Sequence, residues 1–78
     1  GLGCERNPVK AAKWYKLAAD LGNVSAQYHY GRCLEEGIGS SPDTTSAIVW
    51  YQRAAASGEM HAAERLRNLS MHEFLRIL

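Results

Sequence analysis

An internal period of 36 residues constrains this chain more than any other feature. Displaced by 36 positions without a gap, the sequence matches itself at nine of 42 positions, against about three expected from its composition. Gly1 falls on Gly37, Gly3 on Gly39, Ala11 on Ala47 and Trp14-Tyr15 on Trp50-Tyr51. Further along, Ala18-Ala19 falls on Ala54-Ala55, Gly22 on Gly58 and Ala26 on Ala62. Periods of about 20 to 50 residues mark solenoids, whose units bury their faces only against their neighbours. The matched residues are aromatic, glycine or alanine, so what repeats is packing. Seventy-eight residues hold about two such units. A chain this short buries only about 60% of the surface it exposes when unfolded, which makes stacking between units decisive.

Each unit reads as two helices. Asn7 is a cap residue followed by Pro8 at the first helical position, where a missing N–H costs nothing. No breaker interrupts Val9 to Leu21, and Gly22 can take the left-handed conformation that ends a helix. Asn23 caps a second helix from Val24 to Glu36, in which Ala26, Tyr30, Cys33 and Leu34 fall on one apolar face. Gly37-Ile38-Gly39-Ser40-Ser41-Pro42 is a loop, after which Asp43 or Ser41 starts a third helix reaching Ser57. A fourth helix is predicted from Glu59 to Leu69. Ser70-Met71-His72-Glu73 then matches a capping box, which predicts a separate short helix over 70–78. The expected fold is all-α: a solenoid of antiparallel helix pairs, about two repeats plus a short C-terminal helix. Its segments are a closing loop of a preceding repeat over 1–6, repeat one over 7–39, repeat two over 43–69 and a capping helix over 70–78.

The spaced residues resemble the Sel1-like repeat, an α/α relative of the tetratricopeptide repeat. The first copy carries Ala11, Trp14, Tyr15, Ala18, Ala19, Gly22, Ala26, Tyr30-Gly31, Leu34, Gly37 and Gly39. The second carries Ala47, Trp50, Tyr51, Ala54, Ala55, Gly58, Ala62 and Leu66. Tyr30 and Leu34 stand where the family usually shows Leu and Tyr, a swap that keeps the bulk. The period of 36, and Ala18 where a tetratricopeptide would place glycine, favour the Sel1-like branch. The second copy loses its closing Gly-x-Gly. With Gly1 first, the chain reads as the C-terminal piece of a longer array, whose first helix carries an apolar flank made for absent helices. The resemblance implies an adaptor: a protein–protein interaction scaffold with no catalysis of its own, holding a protein or peptide on its helical surface. The other reading is a regulatory or oligomerisation segment of a larger enzyme or signalling protein.

Lys10, Lys13 and Lys16 are the candidate contact residues, spread as a basic arc along the first helix and suited to an acidic partner. Their counterparts Ser46, Val49 and Gln52 are uncharged, so the repeat itself does not require them. The plainer reading of such a run is a solvated helix face. Trp14, Tyr15, Trp50 and Tyr51 invite base stacking, but their recurrence beside small alanines assigns them to packing between helices. A net charge of +1 provides no general attraction to nucleic acid or membrane, and no apolar run approaches the roughly 18 residues of a membrane span.

No cofactor or metal is expected. His29 and Cys33 share a helix face and Cys4 lies one repeat step earlier, yet Cys33 sits on the apolar stripe, where a thiol acts as a small hydrophobe. A Cys4–Cys33 disulfide would need an oxidising compartment. Asn23-Val24-Ser25 and Asn68-Leu69-Ser70 fit the glycosylation pattern, although Asn and Ser also gather at helix ends for backbone reasons. Phe74, Leu75, Ile77 and Leu78 have no repeat counterpart. They form either a lid on the last repeat or a helix offered to a partner, and exposed end helices leave self-association open.

Overall fold

The computed structural model describes the backbone of residues 7–77 and the side chains of residues 7–69 and Met71. Four helices follow one another: α1 (Pro8–Asp20), α2 (Val24–Glu36), α3 (Thr44–Ala56) and α4 (Met60–Ile77). Each packs on the next in sequence, giving an elongated stack of 42 × 26 × 18 Å. This is the expected all-α solenoid of helix pairs.

The helix starts are built by short polar side chains. The Lys10 amide donates to Asn7 Oδ1 at 3.1 Å, the Ala26 amide to Asn23 Oδ1 at 2.8 Å, and the Ser46 amide to Asp43 Oδ1 at 3.0 Å. Asp43, not Ser41, is therefore the third cap. Asn23 Oδ1 accepts from the amide of Ala26, a buried residue in the first turn of α2. Asn23→Ala will lower unfolding stability by about 1 kcal/mol and Asn23→Gly by only a few tenths, read from urea midpoints. The two internal turns are copies of each other. The Asn23 amide donates to the Ala18 carbonyl and the Glu59 amide to the Ala54 carbonyl, both at 3.0 Å, across Gly22 and Gly58 at φ +96°.

The core lies between α2, α3 and α4, where Leu34, Ala47, Tyr51, Ala54 and Ala62 are buried together. Tyr30 and Trp50 meet edge to face at 5.4 Å on its border. Leu34 and Tyr30 thus fill the space expected of them despite their exchanged order. On α1 only Ala12 and Ala19 are buried.

Two expectations need correction. The helix does not restart at Ser70: α4 continues unbroken to Ile77. Asn68-Leu69-Ser70-Met71 contains no Gly or Pro, so the backbone bonds simply propagate and a capping box has no free amides to serve. The side chains of Phe74, Leu75, Ile77 and Leu78 lie outside the described residues, as do residues 1–6. The second correction is Trp14, which is 47% exposed although Trp50 is half-buried. Identical residues at equivalent positions have different neighbours: Trp50 meets Tyr30 of the preceding helix, and no described residue plays that part for Trp14. The apolar flank expected on the first helix is present, with Leu17 and Leu21 also exposed.

Candidate protein-binding surface

A shallow cleft runs between α1 and the loop joining α2 to α3. Val9, Ala12, Lys13 and Lys16 of α1 form one wall, Tyr30 of α2 the back, and Ile38 to Ser40 the other wall. Gly39 permits the approach of that loop, since a Cβ there would stand 3.2 Å from the Ala12 methyl. The cleft holds about 100 Å³. Ligand sites for small molecules usually hold about 300–1,000 Å³, so this one suits one or two side chains of a partner instead.

The structure divides the lysine arc. Lys13 and Lys16 line the cleft, whereas Lys10 is exposed elsewhere on α1. Lys16 Nζ reaches Asp20 Oδ2 at 3.4 Å with both side chains about half exposed, a contact worth little in water. Apolar Val9, Ala12 and Tyr30 beside two ammonium groups make a surface that can take an apolar side chain and a carboxylate together.

A second polar assembly lies inside the stack. Tyr51 Oη donates to Glu35 Oε1 at 2.7 Å, and Arg65 donates to both Glu35 oxygens, Nε at 3.3 Å to Oε1 and Nη2 to Oε2. One carboxylate thus joins α2, α3 and α4. Burial pushes the Glu35 carboxyl up, but the hydrogen bonds from Tyr51 and Arg65 and the Arg65 charge outweigh it and hold the group below the ordinary carboxylate range. Burial and the Glu35 carboxylate push the Tyr51 phenol far up, so it remains a donor. These contacts lock the three helices together. The spacing of Glu35, Tyr51 and Arg65 gives no local signal in the sequence; only the repeat alignment, which pairs Tyr51 with Tyr15, hints that this tyrosine matters.

Cys33 is buried as expected, and burial pushes its thiol up, which keeps it protonated and unreactive. Cys4 is outside the described residues, so neither the disulfide nor the zinc reading reaches the structure. Among the described residues no cluster of three His, Cys, Asp or Glu side chains is placed to hold a metal ion, and no helix is long and apolar enough to cross a membrane.

Sel1 repeats match residues 1–23 and 24–59, more than half of the chain. The chain belongs to the Sel1 repeat family. Its structure superimposes on a Sel1 repeat protein from Oxalobacter formigenes with a TM-score of 0.79 at 39% identity, over 85% of this chain and 50% of that one. The sequence is 42% identical over 60 residues to DAP3-binding cell death enhancer 1 of Rattus norvegicus, covering 77% of this chain and 12% of that protein. It is 40% identical over 65 residues to the chitin synthase regulator SKT5 of Malassezia restricta, covering 83% of this chain and 4% of that protein. The chain therefore spans about half of the Oxalobacter formigenes protein and only 12% and 4% of the two longer relatives. The second Sel1 match places α2 and α3 in one unit, and both Glu35 and Tyr51 fall inside it. Within that unit the helices are held by the carboxylate–phenol bond as well as by apolar packing.

Proposed function

We propose that this chain is a protein–protein interaction module, without chemistry of its own, that takes a partner segment in the cleft between α1 and the α2–α3 loop. Val9, Ala12 and Tyr30 contact an apolar side chain, while Lys13 and Lys16 receive acidic ones from the partner. The observation that carries this reading is the pairing of a small apolar cleft with two ammonium groups on a rigid repeat scaffold. A relative named for binding DAP3 and others named as chitin synthase regulators support a binding or regulatory role. The same contact serves an adaptor or a regulatory segment of a larger enzyme, since both work by holding a partner.

A panel of peptides bearing one aromatic residue flanked by Asp or Glu, mapped by amide chemical shifts, tests it. Shifts should concentrate at Lys13, Lys16 and Ile38 to Ser40. The triple variant Lys10→Ala, Lys13→Ala, Lys16→Ala should keep its melting temperature and lose about five- to thirtyfold in affinity, the effect of about 1–2 kcal/mol of exposed ion pairing. Shifts confined to other surfaces, or an affinity indifferent to the three lysines and to salt, would refute the assignment.

A further inference from the structure

The cleft does not end at Tyr30. The Tyr30 ring meets Trp50 of α3 edge to face at 5.4 Å, and the Arg53 guanidinium lies 4.7 Å above the Trp50 ring. One band thus leads from Lys13 and Lys16 of α1, across Tyr30, to Trp50 and Arg53 of the second repeat. The guanidinium is no more than about 10 Å from the Tyr30 ring, a span that two or three residues of extended chain cover at about 3.3 Å each.

Charge is distributed unevenly around the stack. Helices α1 and α3 hold Lys10, Lys13, Lys16 and Arg53 against Asp20 alone, and α3 has no acidic residue. The carboxylates of α2 are already engaged, Glu35 by Tyr51 and Arg65 and Glu36 by Arg32. Arg53 is exposed, and among the described residues no carboxylate comes within ion-pair distance of it. Its counterpart in the first repeat is Leu17, so the repeat itself does not require the charge. Stacking on an indole orients a guanidinium and leaves its N–H edge for a planar acceptor, so part of the ordering cost is met before a partner arrives. Trp, Tyr and Arg are also the residue types that carry most of the energy at protein interfaces.

We infer that the binding surface continues onto α3 and that Arg53 is its second anchor, selecting a partner segment with an acidic residue on each side of an apolar one. The apolar side chain enters the cleft against Tyr30, one carboxylate goes to Lys13 and Lys16, and the other is taken by the Arg53 fork. This rests on the cleft being the partner site, and adds to it the second repeat and the two-sided acidic pattern. A nucleic-acid strand is the poorer occupant. The guanidinium covers a face of Trp50 and Tyr30 meets that ring edge to face, which leaves little flat surface for bases.

The test uses three peptides built around one phenylalanine, with glutamate on both sides, on the amino side alone or on the carboxyl side alone, and glutamine as the replacement. Each is titrated in a Trp14→Phe background, where Trp50 is the sole tryptophan and reports binding by its emission. The two-sided peptide should bind about three- to tenfold more tightly than either one-sided peptide. Arg53→Gln should cancel the gain from one flank and spare the other, while Lys13→Ala with Lys16→Ala should do the reverse, both at an unchanged melting temperature. Such paired losses are the signature of direct contact. If both gains survive Arg53→Gln while the lysine changes still weaken binding, the inference fails and the cleft reading stands. Binding indifferent to all three cations removes both. Displacement of the two-sided peptide by an equal concentration of a thymidine oligonucleotide would also overturn the acidic-segment assignment.

Discussion

Tyr51→Ala will remove about 3–5 kcal/mol of stability, which for a domain of this size is about half of the total or more. Tyr51 is the largest fully buried side chain among the described residues, and its ring fills the space between α2 and α3 over Gly31. Truncation leaves a cavity and removes one of the two donors on Glu35 Oε1, so the carboxylate keeps only Arg65. Urea unfolding followed by circular dichroism measures the loss. Tyr51→Phe separates the two parts: it keeps the ring and removes the hydroxyl, and should cost about 1.5–3 kcal/mol, the effect of one hydrogen bond to a charged acceptor. Trp50→Ala, by contrast, should cost less than Tyr51→Ala, because Trp50 is half-buried with Arg53 stacked 4.7 Å above its ring. Equal costs for the two alanine variants would show that the core is not centred on Tyr51.

The repeat made most of this fold legible. Recurring Trp-Tyr, Ala-Ala and Gly at one spacing predict two helix hairpins, and Asn7, Asn23 and Asp43 mark the starts because their side chains compete for free amides. What the alignment could not convey is burial. Trp14 and Trp50 are the same residue at the same position, yet exposure depends on the neighbour across the interface, which lies in another unit. Glu35 escaped notice for a related reason: its partners are 16 and 30 residues away, beyond any local spacing rule. Ser70 misled in the opposite sense. A capping motif is a local preference, and a helix already under way has no unpaired amides for it to satisfy. Of the three lysines, a helical wheel places Lys13 and Lys16 near one another. Only the return of the loop at Gly39, close against Ala12, makes a cleft of that side.

Gly31→Ala will destabilise the protein by about 1–2 kcal/mol, although the same change in an exposed helix would stabilise it by about 0.5–1 kcal/mol. Gly31 is in the middle of α2 and buried, so its backbone has no need of glycine; the need comes from Tyr51. An added methyl would stand 2.7 Å from Tyr51 Cε1 and 2.9 Å from Cδ1. The ring cannot retreat cheaply, because its hydroxyl is tied to Glu35 and its other face is packed in the core. If that collision is the whole cause, removing the ring must reverse the sign. In a Tyr51→Leu background, Gly31→Ala should become neutral or stabilising, giving a coupling of about 2 kcal/mol in a double-mutant cycle. A cost that persists without the ring would place the constraint in the backbone of α2. A cost that disappears would confirm that a single glycine sets how closely α2 and α3 approach, which fixes the spacing the stack would carry from one repeat to the next.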